Sequence, residues 1–380
     1  MNVKSNKKII CCCAILLFIA CREKYILPDT GPALGYLVVE GSINSGQGTT
    51  NIRLSRTVGL VDTLNINTER FASIWVEGDD NSSYVLTEAS PGVYTNLLNL
   101  DNSRQYRLRI QTSDGSVYLS DFEKALTTPA IDTITWEQPA GVEIFVNTHD
   151  NGNNTQYYRW EYEETFEFHS AFYSSVKFIV NPLGIITDVV ERSFEESQKL
   201  YTCWKTEYSD KILIGSSTNL IRDSIHLPIQ MIPYPSWKLS VLYSINVRQS
   251  SINSKEYDFL RRMKKNTEQV GSLFDAQPSE LKGNIHNVTR PNEIVIGYIG
   301  VADVKEKRIF ISRSQLTNWN YSQGCQETKV KNDPDSLSPF TIPLYGVEYF
   351  GIKPQYYMVT EPICGDCTLR GYNTKPSFWP

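Results

Sequence analysis

Cysteine carries most of the reactive chemistry in this chain, and position sorts the eight cysteines into three groups. Cys11, Cys12 and Cys13 lie inside an apolar N-terminal run, Cys21 closes that run, and Cys203, Cys325, Cys364 and Cys367 belong to the remainder. Cys364-Gly-Asp-Cys367 has the spacing of a redox dithiol, whose attacking thiolate is usually activated at a helix N-terminus. Here the pair stands between strand-like flanks near the chain end, so structural disulfides are the expected use. Four cysteines in an exported chain make two bridges, with three possible pairings. A zinc knuckle would need a second CxxC or paired histidines, and the sequence has neither.

The histidines, His149, His169, His226 and His286, fall outside HExxH and outside any Gly-x-Ser-x-Gly elbow. Each reads as a surface or strand histidine. Asp79, Asp80 and Asn81, and Asp150 and Asn151, could offer oxygens to calcium, but neither stretch has EF-hand spacing. Hairpin turns select these same residue types for their tolerance of left-handed backbone. Trp75, Trp136, Trp160, Trp204, Trp237 and Trp319 could stack on sugars, although in a tyrosine-rich β protein most such rings fill cores or interfaces. Dispersed carboxylates such as Glu161, Glu163 and Asp188 keep a hydrolase as the third reading, which would require two of them at glycosidase separation in a cleft. No catalytic residue, metal ligand or cofactor is expected.

The elements that must position these side chains are strands. Across 380 residues the chain is 41% hydrophobic and 21% charged, with 22 Tyr, 15 Phe and 7 Trp, a balance that favours a globular β protein over disorder or a helical bundle. The length suggests more than one domain. From Tyr36, runs such as "YLVVEGSI", "TTNIRLSRT", "FASIWVEG" and "QYRLRIQT" alternate apolar and polar positions, with a turn every eight to twelve residues. Asp114-Gly115 is a strong hairpin signal. This predicts an immunoglobulin-like or fibronectin-like β-sandwich over 36–126. Pro129 marks a joint, and a larger β-rich domain follows over 130–380, sandwich-like over 130–250.

In that second domain Tyr158, Trp160, Tyr162, Phe166 and Phe168 share one face of a strand, with Arg159, Glu161, Glu163, Thr165 and Glu167 on the other. One amphipathic helix is predicted over 254–270. Asn253 and Glu256 form a capping box, Phe259, Met263 and Val270 fall on one face, and Gly271 is the stop. Closing strands and a Cys-rich end occupy 280–380.

The N-terminus reads as an address. Lys4, Lys7 and Lys8 precede an apolar run, Ile9 to Ala20, of signal-peptide length and too short to span a bilayer. Ala20 stands directly before Cys21, as in a lipobox, although Phe18 and Ile19 replace the usual Leu and small residue. The reading is a lipoprotein signal peptide over 1–20, lipid on Cys21 and a tether over 21–35; an ordinary secretory signal with an incidental cysteine is the competing one. The net charge of −5 and the lack of any basic block argue against nucleic acid as a partner.

Several phrases, in order, then resemble one family. "LVVEGSI", "IRLSRT", "VLTEASPGVY", "YRLRIQTSDGSVYLSD", "TTPAIDTITWE", "GSLFDAQPSELKGNIHNV", "EIVIGYIG" and "PICGDCTLRGYNTKPSFWP" are similar to the Bacteroidota outer-membrane lipoproteins gathered as domain of unknown function 4249. The most specific part is Cys-x-x-Cys-Thr-x-Arg-Gly…Lys-Pro-x-Phe-Trp, Cys364 to Trp379. The resemblance implies an outer-membrane location and an accessory role beside a TonB-dependent transporter in nutrient capture. It brings no catalytic residues. It leaves the membrane face open, because Arg22-Glu23-Lys24 departs from the acidic stretch that tends to direct surface display. It also implies possible O-glycosylation at Asp62-Thr63-Leu64, Asp132-Thr133-Ile134, Asp223-Ser224-Ile225 and Asp335-Ser336-Leu337. The expectation is therefore a non-enzymatic, lipid-anchored partner of a transporter. The alternative is an independent module that binds glycan or protein through loops.

Overall fold

The computed structural model describes residues 35–58, 67–268 and 282–380. The leader, Cys21, the tether up to residue 34, Asp62-Thr63-Leu64, and the helix end at Val270 and Gly271 lie outside those residues. The chain is mainly β, as its composition predicts, with strands throughout and short helical pieces between them.

The first unit is one strongly curved sheet. Its strands run in the order Val117–Ser120, Gln105–Gln111, Ser73–Gly78, Ser83–Ser90, Val93–Leu97, Thr49–Arg56 and Leu37–Asn44. Period two decides the faces: Thr50, Ile52 and Leu54 are buried, while Asn51 and Arg53 face outward. The Asp114-Gly115 turn forms as predicted, with Gly115 at φ 83°. Asp114 accepts hydrogen bonds from Thr112 Oγ1 (2.6 Å) and Ser116 N (2.9 Å), which hold its carboxyl at a pKa of about 2.

Both edges of this sheet are completed from far along the chain. Ile285–Asn287 adds antiparallel to Val117–Ser120, and Val295–Ile296 and Val301–Ala302 add parallel to Leu37–Asn44. Ile285, Val295, Ile299 and Val301 enter the same core as Leu37, Ile52, Ile74 and Tyr118. Sequence reading gives these strands to the C-terminal domain. In the structure they close the first unit, because an apolar strand records its period in sequence but not which edge will take it.

The second unit has two sheets over one core. Ile131–Glu137, Gly141–His149 and Ser224–Pro233 form the smaller sheet. The larger is built around the long strand Tyr157–His169. Thr202–Tyr208 and Leu213–Ser216 flank it on one side, and Leu242–Ser251 followed by Val304–Ser312 on the other. Val142, Ile144 and Ile229 of the small sheet meet Tyr158, Trp160, Phe166, Tyr243 and Ile245 of the large one.

The predicted helix spans Ser254–Glu268, and Asn253 Oδ1 accepts from Glu256 N (2.9 Å), the predicted cap. Phe259 and Leu260 pack with Ile252 and Tyr298, which seats the helix at the junction of the two units. Among the described residues, two further helices, Phe194–Tyr201 and Pro362–Gly365, were not legible as periodic patterns because both are too short to show a face.

A third layer lies farther out. Hairpin Val176–Val180/Ile186–Glu191 packs along a three-stranded sheet ordered Thr328–Lys331, Lys353–Thr360, Ile342–Phe350. Ser175 N and Oγ both donate to Leu344 O (2.7 and 2.8 Å) and tie the two together.

Candidate functional site

The large sheet of the second unit turns its outer face toward the first unit, and the register sets charges in rows across three strands. Glu161 stands opposite Arg248 and Arg248 opposite Glu306; one rung along, Glu163 faces Asn246 and Asn246 faces Arg308. Opposite charges directly across strands attract. Arg248 Nε is 3.2 Å from Glu306 Oε1, Arg308 Nη2 donates to Glu163 Oε1 (3.1 Å), Asn246 Nδ2 donates to Glu306 Oε2 (3.0 Å), and Arg159 pairs with Glu161. The Arg159 charge, followed by that of Arg248, holds the Glu161 carboxyl below its ordinary range despite burial. Burial opposes the Arg159 charge, but Glu161 and Glu256 outweigh it and raise its pKa.

This charged face forms one wall of a cleft of about 720 Å³. Glu40, Gly41, Asn51 and Arg53 of the first sheet line the opposite wall, and Tyr208, Met263 and Tyr298 line its ends. Arg53 stands opposite Glu40 in the strand register and forms no ion pair with another described residue. Behind the wall sits Glu256, only 2% exposed, where the helix meets residue 300. Burial is the main cause that pushes its carboxyl up to about 7; Arg159 opposes this, and Glu123 and Glu161 add to it. Chemically, one wall offers fixed donors and acceptors in paired charges and the other adds Arg53 and Glu40 outside any ion pair among the described residues, an arrangement suited to holding a polar ligand.

The predicted residues fall in several places. Cys203 bridges to Cys367 (Cα–Cα 5.8 Å) and Cys325 to Cys364 (Cα–Cα 5.9 Å), which settles the pairing and gives the two halves of the CxxC to different partners. The CxxC flanks are helical turns, Pro362–Gly365 and Cys367–Leu369, where strands were expected; Pro362 at the first helical position starts the turn. His149 Nδ1 lies 2.7 Å from Asp132 Oδ2, His169 stacks on Tyr201, His226 stacks on Phe145, and His286 is exposed on an edge strand. Asp80 and Asp150 cap their own turns: Asp80 Oδ1 accepts from Ser82 N, and Asp150 accepts from Gly152, Asn154 and Thr155 N. Asn81 takes φ 67° in the first of these turns. Trp160 and Trp319 are core rings whose Nε1 donate to Gln249 Oε1 (2.7 Å) and Ser236 O (3.0 Å). Trp204 is buried, Trp136 and Trp237 pack against the same core, and Arg109 covers Trp75. Most of the tryptophans thus fill or flank the second unit's core and form no exposed platform among the described residues. Glu161 and Glu163 share the charged wall, whereas Asp188 stands on the separate hairpin Val176–Glu191.

Sequence reasoning missed Glu164. The strand Tyr157–His169 buries positions 158, 160, 162, 164, 166 and 168, so Glu164 points into the core with the aromatics. Thr165, expected to face water, is also buried and exchanges a hydrogen bond with Thr206 (2.9 Å). Glu164 accepts from Tyr243 OH (2.8 Å) and Gln230 Nε2 (3.2 Å) and pairs with Lys238, which also reaches Glu207 (2.7 Å). The signal was present, since two adjacent glutamates in a period-two run must put one on the apolar face.

The Cys364–Trp379 stretch is a structural clasp. Arg370 lies over the Phe168 and Trp237 rings and donates to Gln323 Oε1 (2.6 Å). A Cβ on Gly371 would stand 2.4 Å from Trp204 O, so glycine lets the chain pair there with strand Thr202–Tyr208. Trp379 is buried against Phe310 and donates to Glu167 Oε2 (3.0 Å), while the Arg308 guanidinium covers Phe378.

A mainly β chain of several sheets, with a charged cleft between two units, is the class that fold and site define. The family described as Domain of unknown function (DUF4249) matches residues 23–308, most of the chain, and the protein belongs to that family. No curated protein matches. Among solved structures, a DUF4785 family protein from Legionella pneumophila is 7% identical. The alignment covers 57% of this chain and 52% of that one, about half its length, at a TM-score of 0.20.

Proposed function

We propose that the protein is a non-enzymatic outer-membrane lipoprotein, anchored through Cys21, that assists a TonB-dependent transporter in nutrient capture. The observation that carries the reading is the inter-unit cleft. Three of its carboxylates, Glu161, Glu163 and Glu306, are each engaged by an arginine, an arrangement that suits holding a polar ligand. The leader and Cys21 supply the address, and multiple acyl chains would make the anchor stable. An independent glycan- or protein-binding module is the second reading, favoured by the same cleft if it works without a transporter.

The test is native purification from outer membranes, with mass spectrometry of the N-terminal peptide and of co-purifying proteins. A tag belongs in the Asp114–Gly115 turn, because Trp379 is buried at the C-terminal end. An acylated Cys21 together with a co-eluting β-barrel receptor is expected. An acylated chain that elutes alone would transfer the proposal to the independent module, and an unmodified Cys21 would remove the anchor.

A further inference from the structure

The outer layer ends in two turns whose composition is unusual for a water-facing surface. The hairpin turn reads Val180-Asn-Pro-Leu183-Gly-Ile185, and its neighbour reads Tyr349-Phe350-Gly351-Ile352. Leu183 is 82% exposed, Phe350 81% and Ile352 92%, with Ile185 and Val180 also exposed. No charged residue occurs from Val180 to Thr187 or from Tyr349 to Ile352. Single exposed apolar residues are ordinary, but clustered ones mark an interaction surface.

The two turns project from the same end. Ser175 fixes the base of the hairpin to Leu344, and the hairpin continues alongside strand Ile342–Phe350. Asp188 pairs with Ile179 near the hairpin's outer end. The Tyr357 phenol, whose pKa is raised mainly by burial, also feels Tyr349 and that same Asp188. The hairpin and strand Ile342–Phe350 therefore run side by side from that shared base.

The hairpin turn also pairs its own backbone N–H groups. Asn181 N donates to Ile185 O (2.9 Å) and Gly184 N to Asn181 O (2.9 Å), Leu183 N and Ile185 N both donate to Asn181 Oδ1 (3.0 Å each), and Pro182 has no N–H. Every N–H from 181 to 185 is thus used inside the turn. The tip's N–H groups therefore stay paired when water is displaced; the polar Asp150 turn closes its N–H groups in the same way, so the closure permits burial without demanding it.

We propose that these two turns insert into the interfacial layer of a lipid bilayer. The shape favours lipid over a protein partner. A stable protein interface buries about 800 Å² on each side and would need a concave mate for two projecting tips, whereas a bilayer moulds around them. Lys353, directly after Ile352, can extend its ammonium back to the headgroups. The chain before Gly35 offers a second attachment. The tips themselves do not depend on that anchor.

The experiment places the environment-sensitive amino acid dansylalanine at position 183, 352 or, as a control on the first sheet, 85, in the full chain mixed with phosphatidylethanolamine–phosphatidylglycerol vesicles. The mass of the N-terminal peptide is recorded in parallel, so that failure of acylation and failure of insertion are read separately. The expected result is a blue shift at 183 and 352, quenched by bromine on the acyl chains, with neither effect at 85. Water-like emission at both tips would overturn the proposal. A blue shift that brominated lipid does not quench would also overturn it, in favour of a protein covering the tips.

Discussion

A Cβ on Gly300 would stand 2.1 Å from Glu256 Oε2, so this carboxylate is sealed against bare backbone at the meeting point of helix, cleft wall and first sheet. The contact makes the junction of the two units sensitive to protons. With its folded pKa raised to about 7, Glu256 binds its proton more tightly in the folded than in the unfolded state, where about 4.3 is normal. Its contribution is complete below the unfolded value and is lost as pH rises through 7. Urea unfolding should show stability falling by about 3 kcal/mol between pH 4 and 8 from this group. Glu256→Gln should flatten that segment and exceed the wild type above pH 7. A stability difference between the variant and the wild type that does not grow in the variant's favour from pH 4 to 8 would contradict the assignment.

Peptide mapping without reduction should recover the linked pairs Cys203–Cys367 and Cys325–Cys364, and no Cys364–Cys367 peptide. The bridges close loops of unequal length, with sequence separations of 164 and 39. Chain-entropy arguments assign them about 5 and about 4 kcal/mol. Replacing the Cys203–Cys367 pair by alanines should therefore lower the denaturation midpoint more than replacing the other pair.

Lys238→Met would leave Glu164, 3% exposed, without its cation. Removing one partner of a buried pair costs about 3–5 kcal/mol, and calorimetry should show a loss of that order. Adding Glu164→Gln should restore more than half of it, since the remaining hydrogen bonds from Tyr243 and Gln230 suit a neutral amide oxygen. No recovery in the double variant would mean that the loss came from the packing of the lysine stem.

The clasp can be tested at its tip. Trp379→Ala removes a ring packed on Phe310 and should cost about 3 kcal/mol. Trp379→Phe keeps a ring but loses the bond to Glu167 and should cost about 1 kcal/mol. Equal losses in thermal unfolding would place the whole effect in the hydrogen bond.

The sequence announced local features better than remote partners. The aromatic row from Tyr158 to Phe168, the Asn253 cap and the Asp114-Gly115 turn each depend on neighbours a few residues away, and each is present. Glu164 escaped notice because chemistry suggested the wet face while periodicity required the dry one. The strands within 295–302 were legible as strands, but the edge they join lies 258 positions earlier, and Ile285–Asn287 joins an edge at least 165 positions earlier. The cleft was illegible for the same reason: Arg53 and Glu161 become facing walls only through the packing of two sheets.

The connections from late residues to early sheets impose an order on biosynthesis. A ribosome delivers the chain from its N-terminus, and domains that need only local sequence can fold as they emerge. Here the first sheet lacks both edge strands until residues 285–302 have appeared, and the second unit lacks Val304–Ser312 and the clasp until Trp379 does. Early segments must therefore wait with open sheet edges, which are templates for mispairing. Truncated products should be aggregation-prone out of proportion to the few residues they lack, and a holding chaperone has most to protect in the interval before residue 302 is made.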